Sequence, residues 1–182
     1  AKYNWKATFC VSNFEKLSVS DISNLKELQN KGHEIASHGF RHLNAKEFAK
    51  KNNKKQYLIV EICPLIEAFK KEGIEIKSFA YPFGAKTQTL DYELQKHFDI
   101  IRGTAKGDKK VADNANFYNG TRLANGIGID RNYEHFSLNY LTKVLNYAKK
   151  YNKIVVFYGH KPVDKATNEY EVDLKTLEMI CQ

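Results

Sequence analysis

Residues 31–42 read KGHEIASHGFRH. Gly32 is a typical helix stop, and the apolar spacing before it predicts a helix over residues 22–31 that Asp21 can cap. Residues 33–37 are predicted to form a short strand, and two histidines follow it directly. A helix, a glycine and a strand in this order predict an α/β chain, in which polar groups just after a strand are candidates for a ligand site.

The same alternation extends in both directions from this stretch. Asn44 and Ser137 are predicted helix N-caps, and Pro64 is expected to kink or divide the helix that contains it. Asn-Gly pairs at residues 119–120 and 125–126 predict an irregular region over residues 114–128. The remaining predicted strands are 7–11, 77–81, 99–102 and 154–158, and the remaining predicted helices are 44–72, 87–98, 138–151 and one that starts near Asp173. The pattern predicts one α/β domain over residues 1–182, with a mostly parallel sheet that is either open or closed into a barrel.

Composition excludes several classes of protein. With 182 residues, 42% of them hydrophobic, and a formal charge of +8, the chain has the profile of a packed globular protein and excludes disordered, collagen-like and coiled-coil chains. No apolar run approaches the ~18 residues of a membrane span, and the opening residues lack the pattern of a signal peptide. Cys10, Cys63 and Cys181 lack metal-site spacing and are predicted to be buried apolar residues.

The basic charge has a plain interpretation. Lysines concentrate at residues 46–55 and 149–153, in segments predicted to be outer helix faces, and no nucleic-acid-binding motif accompanies them. We therefore expect solvated lysines and no nucleic-acid partner. Nucleic-acid binding through these helices remains a lower-ranked alternative, which predicts salt-sensitive retention on DNA.

Three polar clusters follow predicted strands, at residues 37–42, 81–84 and 159–162. Because the carboxyl ends of parallel strands share one edge of a sheet, these clusters are expected to converge on one rim. His38 and His42 have the i, i+4 spacing that suits two ligands of one metal ion, and neutral imidazole suits zinc. Taken alone, this spacing also fits an ordinary pair of surface histidines. The position of His38 and His42 directly after a predicted strand favours a metal site over a surface pair.

At these residues the chain resembles the polysaccharide deacetylases, the NodB-homology family of carbohydrate esterases. Residues 32–42 are similar to the family's GHEI-x-SH-x-x-x-H motif, and residues 6–11 are similar to its KATFFV strand. Residues 79–84 (FAYPFG) resemble its third motif, and residues 155–160 (VVFYGH) resemble the strand that ends in its catalytic histidine. Four segments in the family's order cover nearly the whole chain.

The resemblance implies a distorted (β/α) barrel and metal-assisted hydrolysis of acetyl groups from an acetylated glycan. It implies a divalent metal, with zinc preferred, held by an Asp together with His38 and His42, while a second Asp accepts a proton from the attacking water. His160 would be the general acid. The loop of Tyr81, Pro82, Phe83 and Gly84 would contact substrate, with a backbone N–H near Phe83 as the oxyanion donor. The family also implies an extracytoplasmic location, and it leaves the glycan and the oligomeric state open.

Two of the departures from the family concern its aspartates. The aspartate pair should precede the strand at residues 7–11, where only six residues stand, so we expect a domain that lacks its first strand here and whose last strand is also lost after Gln182. The fourth motif, an Asp-Trp segment, has no recognised counterpart, and the single tryptophan is Trp5. Either the chain is cut after the first motif, which we favour, or it is a catalytically inactive, carbohydrate-binding member.

Overall fold

A computed structural model describes residues 3–105, 110–131, 133 and 136–182. The described residues form two compact units. The first unit is Asn4–Gly103, and the second contains Tyr3 and the described part of Thr104–Gln182.

The first unit is built on a parallel sheet. Its strands are β1 (Thr8–Val11), β2 (Glu34–Ser37), β3 (Ser78–Ala80) and β4 (Ile100–Thr104), and they lie side by side in chain order. All three neighbouring pairs are parallel. Parallel neighbours need long connections, and helices supply them. The helices are α1 (Val19–Asn30), α2 (Ala45–Ala49), α3 (Lys54–Tyr57), α4 (Cys63–Glu72) and α5 (Gln88–Leu94).

Helix α1 starts earlier than the sequence predicted. Ser18 is its N-cap and accepts a hydrogen bond from Asp21 N, while the Asp21 carboxylate accepts from Ser18 N. Asp21 therefore completes a reciprocal capping box rather than serving as the cap itself. Gly32, with φ of 83°, follows the end of the helix as predicted.

The helix predicted over residues 44–72 is divided. Asn44 caps α2 as predicted, by accepting from Lys46 N and Glu47 N, and Asn53 starts a second helix by a capping box with Gln56. This second helix contains a π-helical turn, Leu58–Ile62, between α3 and α4. Pro64 lies in the first turn of α4, directly after the π turn. Proline lacks the N–H that an uninterrupted α-helix would use, so its predicted disruption is confirmed and takes the form of this turn.

The core of the first unit lies between β2 and the helices. Ile35, Leu65 and Phe69 are fully buried in one apolar cluster with Phe14 and Ile74. Strand β1 is largely exposed, because it is the outermost strand of this sheet, and Phe9 is 39% exposed. The prediction for the cysteines is also wrong: Cys10 and Cys63 are exposed, and Cys181 is partly exposed.

The second unit contains two parallel strand pairs. β5 (Leu123–Gly128) pairs with β6 (Phe157–Tyr158), and β7 (Lys161–Val163) pairs with β8 (Glu171–Asp173). Helix α6 (Leu138–Tyr151) is capped by Ser137 as predicted, and α7 (Leu174–Cys181) starts after Asp173. The core lies between α6 and the strands and is formed by Ala105, Phe117, Ile127, Ile129, Tyr140, Leu141, Val144, Ala148 and Val172.

Two details of this unit differ from the prediction. Asn125 and Gly126 lie inside β5 rather than in a turn, because the carbonyl of Gly126 accepts from Ala105 N. The apolar run 154–158 is a strand only at its last two residues, while Ile154 forms an isolated bridge with Tyr118. Parallel strands connected through helices confirm the predicted α/β class. None of the helices in the described ranges combines the length and the apolar character that crossing a bilayer requires.

Candidate active site

The two histidines of the central motif lie in a tight loop after β2. His38 N donates to the carbonyl of Val11, at the end of β1, which fixes the start of the loop. Gly39 has φ of 82° and His42 has φ of 60°. A non-glycine residue in the left-handed region costs about 1–3 kcal/mol and persists only where its surroundings enforce it. The two residues with positive φ reverse the direction of the chain, and the imidazoles of His38 and His42 face each other.

The imidazole rings of the pair are close and oriented. His38 Nε2 and His42 Nε2 are 3.2 Å apart, and the rings meet edge to face. His38 Nδ1 is 2.7 Å from the carbonyl oxygen of Ala80, at the end of β3. A carbonyl can only accept, so Nδ1 carries the proton and the lone pair of His38 is on Nε2. Metal-ligating histidines are commonly oriented in this way through their second nitrogen.

The geometry of the pair fits a divalent metal ion. Two nitrogens that are each about 2.0–2.1 Å from a tetrahedral zinc ion lie roughly 3.3 Å apart. The observed separation of 3.2 Å matches this value. Within the described residues, however, no cluster of three or more His, Cys, Asp or Glu side chains could hold a metal ion. The donor set present is thus two imidazoles of the four ligands that zinc normally takes.

The predicted substrate loop lies beside this pair. Residues Pro82–Gly84 form a 3-10 turn after β3, in which Gly84 N donates to Tyr81 O and Ala85 N donates to Pro82 O. Phe83 stands out of the turn, 66% exposed and with φ of 58°, and its ring centroid is 4.8 Å from that of His42. The side chains of Tyr81 and Pro82 are buried. Burial raises the pKa of the Tyr81 hydroxyl above its ordinary value.

His160 lies in the second unit, just after β6. Its Nδ1 is 2.6 Å from Asp130 Oδ2, and its backbone N donates to Asp130 Oδ1 at 2.9 Å. Asp130 is fully buried, whereas the His160 side chain is 46% exposed. At Gly159 a Cβ would lie 3.3 Å from Asp130 Oδ1, so the backbone approaches the carboxylate closely. One carboxylate therefore fixes both the ring and the main chain of His160.

Sequence reasoning missed Asp130. Its signal was present, because Asp130 follows β5 by two residues, as the other polar clusters follow their strands. The two aspartate patterns of the family, an Asp-Asp pair and an Asp-Trp segment, do not contain this residue. Its sequence signal is a single carboxylate directly after an apolar strand.

Aromatic rings surround His160. The Tyr170 ring centroid is 5.1 Å from the imidazole, edge on, and the Tyr158 ring centroid is 6.2 Å from it. Tyr170 is half exposed and has φ of 59°, a strained value for tyrosine. Its neighbour Glu171 accepts from Thr167 N and Asn168 N, both at 3.0 Å. These two bonds, followed by those from the side chains of Asn168 and Lys161, lower the pKa of Glu171 to about 2.

The structure therefore brings the predicted site residues together in two groups. His38, His42 and Phe83 form one group in the first unit, and His160 forms the other with Asp130 in the second unit. Convergence of all three strand-end clusters on one rim stays a prediction. The remaining histidine of the motif, His33, accepts a hydrogen bond from Ala7 N through Nδ1.

Comparison with known proteins gives a consistent picture. The sequence model of the polysaccharide deacetylase family matches residues 1–98, which include the histidine pair and the loop at Tyr81–Gly84. A search of curated proteins found no match.

Solved structures similar to this chain include the following three. The Xyl-CE4 domain of a multidomain xylanase from the hindgut metagenome of Trinervitermes trinervoides is 17% identical, with a TM-score of 0.46, over 86% of this chain and 75% of that one. The chitin deacetylase of the fungal pathogen Colletotrichum lindemuthianum is 14% identical, with a TM-score of 0.48 and the same coverage. A family 4 acetyl xylan esterase from Clostridium thermocellum, in complex with a cobalt ion, is 20% identical, with a TM-score of 0.43. The match covers 98% of this chain and 80% of the esterase chain. Because these TM-scores are below 0.5, the sequence match alone carries the family assignment.

Proposed function

The chain belongs to the polysaccharide deacetylase family, and we propose that it removes acetyl groups hydrolytically from a polysaccharide or an oligosaccharide. The family's fold is the distorted (β/α) barrel, and the parallel strand and helix order of both units agrees with it. The observation that carries the proposal is the oriented pair of imidazoles at His38 and His42, next to the exposed Phe83.

We assign His38 and His42 as two ligands of a divalent metal, with zinc as the preferred ion. The support is the spacing of their Nε2 atoms and the contact that directs His38 Nδ1 to Ala80. When bound, such an ion supplies Lewis acidity that polarises the acetyl carbonyl and activates water. The role of the two histidines is to bind the metal ion and fix its position, and they do not themselves transfer protons.

His160 is assigned as the general acid that protonates the departing amine or alkoxide. Its Nδ1 donates to Asp130, so the transferable proton is on Nε2, at the exposed part of the ring. Imidazole suits this task because its ordinary pKa is near neutrality. The buried carboxylate of Asp130 holds the ring in one orientation.

The loop at Tyr81–Gly84 is proposed to supply the oxyanion donor. Tyr81 N donates to the carbonyl of Arg102, the N–H groups of Gly84 and Ala85 donate to carbonyls within the turn, and Pro82 has no N–H. Phe83 N is therefore the donor we assign among the described residues of this loop. A fixed backbone donor stabilises the negative charge that develops on the acetyl oxygen. The exposed rings of Phe83 and Tyr170 suit the apolar C–H face of a sugar.

The function is tested by acetate release. The purified protein, loaded with zinc, is incubated with N-acetylated and O-acetylated glycans, and parallel samples contain a chelator. We expect release that the chelator abolishes and added zinc or cobalt restores. Release from no substrate despite tight zinc binding contradicts catalysis, and glycan binding under those conditions supports the alternative of an inactive carbohydrate-binding member.

Membership of the family supports an acetylated glycan as the partner of this protein and an extracytoplasmic location.

A further inference from the structure

The π-helical turn of the first unit contains a buried carboxylate that the proposed chemistry does not use. Glu61 is fully buried, although glutamate is seldom found inside a protein without partners. Its partners are the backbone N–H groups of the histidine loop. Oε1 accepts from Arg41 N at 2.9 Å, and Oε2 accepts from Leu43 N at 3.2 Å.

The main chain of the same residue adds a third bond. The carbonyl oxygen of Glu61 accepts from Phe40 N at 3.0 Å. Three of the four residues from Phe40 to Leu43 thus donate to Glu61, and the remaining one is His42. A π turn widens the helix by one residue, and such turns are frequent at functional sites. Here it places both the carbonyl and the carboxylate of one residue against one loop.

Gly39 shows how closely the loop fits Glu61. A Cβ at Gly39 would lie 2.4 Å from Glu61 Oε2, and the φ of 82° there disfavours any other residue. His42 is held at its own positive φ between the bonded neighbours Arg41 and Leu43. The bonds to Glu61 therefore enforce the strained conformation that brings His42 Nε2 to 3.2 Å from His38 Nε2.

We propose that Glu61 is the positioning residue that forms the two-histidine site in advance of metal binding. This inference rests on the proposed function only in its choice of a divalent metal as the ligand. The carboxylate is needed because two N–H donors require two acceptor oxygens. Glutamine has the same shape but offers one oxygen and one NH₂ group, so one loop N–H would face a donor.

The first test compares zinc affinity by titration calorimetry in Glu61→Gln and in Glu67→Gln. Glu67 lies on α4, is exposed, and receives the same chemical change. We expect zinc to bind about 10- to 100-fold more weakly to the Glu61 variant, as is typical when a group that orients a ligand is lost. The Glu67 variant should match the wild type. At saturating zinc, the kcat of the Glu61 variant should approach that of the wild type, because the change acts on metal affinity.

A second measurement does not depend on the variant's folding. Amide hydrogen exchange in the metal-depleted wild type should show protection at Phe40, Arg41 and Leu43, because these N–H groups are bonded before any metal binds. Exchange at the rate of an exposed loop, or an affinity within twofold of the wild type in a folded Glu61→Gln protein, overturns the proposal. A wild type that binds no zinc overturns the metal site and this inference together. Tight zinc binding without acetate release overturns the proposed function alone.

Discussion

At the scale of the residue, the orientation of the His160 ring depends on its contact with Asp130. Asparagine at position 130 offers one acceptor oxygen to the two N–H donors of His160, so either the ring or the main chain of His160 would face the amide NH₂ group and the ring would be held less firmly. We expect Asp130→Asn to lower kcat by about 10²- to 10⁴-fold, the usual contribution of a general acid. Steady-state kinetics measures this. The exposed Asp164→Asn is the matched control, and a kcat within threefold of the wild type in the Asp130 variant would refute the assigned role.

A second residue-scale prediction concerns the strained Tyr170. If its ring contacts the glycan, Tyr170→Ala should raise KM by roughly 2- to 13-fold, equivalent to about 0.5–1.5 kcal/mol of aromatic contact, with little change in kcat. Tyr170→Phe should keep the wild-type KM. Tyr151→Ala removes another half-exposed tyrosine, on α6, and should have no effect. Equal KM values for the Tyr170→Ala variant and the wild type would exclude the contact.

At the scale of the element, Glu171 connects the loop of residues 164–170 to the start of β8. Its carboxylate accepts from Thr167 N and Asn168 N, and these bonds lower its pKa to about 2 from an ordinary value near 4.5. A depressed pKa means that the ionised form is favoured by folding. The stabilisation is therefore complete above about pH 4.5 and is lost as the pH falls towards 2.

The lowered pKa of Glu171 predicts how the stability of a Glu171 variant depends on pH. Glu171→Gln should be less stable than the wild type at pH 7, and the difference should shrink as the pH is lowered from about 4.5 to 2. Urea unfolding at a series of pH values measures it. Glu169→Gln changes an exposed neighbour and should follow the wild type throughout. A difference that stays constant with pH would show that Glu171 does not act through its charge.

At the scale of the whole molecule, metal binding should raise the resistance to unfolding. A ligand that binds only the folded state at 100 times its Kd stabilises that state by about 2.7 kcal/mol. We expect zinc to shift the urea midpoint upward in the wild type and a chelator to reverse the shift. In His42→Asn the shift should vanish, because asparagine tolerates the left-handed backbone of this position but removes the imidazole. His97→Asn, at an exposed histidine, should keep the full response, and a shift retained in the His42 variant would exclude this site.

The element order was largely predictable, because each element depends on signals close together in the chain. Ser137 and Thr87 lie directly before the helices that they cap, and Gly32 directly follows the end of one. The prediction failed in two ways. One local capping signal was not recognised, and one local turn signal was overridden by strand pairing. Asn53 and Gln56 start a new helix inside the one predicted over residues 44–72, and Asn125-Gly126 is held in a strand by pairing with Ala105.

The site was predictable only in part. The i, i+4 spacing of His38 and His42 and the position of His160 after a strand are visible in the chain itself. Asp130 is 30 residues from His160, and Glu61 is 18 residues from Leu43, so no local pattern joins them. The exposure of Cys10 likewise depends on the position of β1 at the edge of its sheet.

By itself, the sequence determined the family, the α/β class, the helix caps at Asn44 and Ser137 and the identity of the histidine pair, because these follow from residue types at short separations. Only the tertiary structure decided which atoms meet. The bond between His160 and Asp130 and the three bonds from the histidine loop to Glu61 join segments that are distant in the chain. The distance of 3.2 Å between the two Nε2 atoms depends on those bonds to Glu61. The physical reason is that a buried polar group must find a partner in space, and the chain spacing alone does not specify which partner it finds.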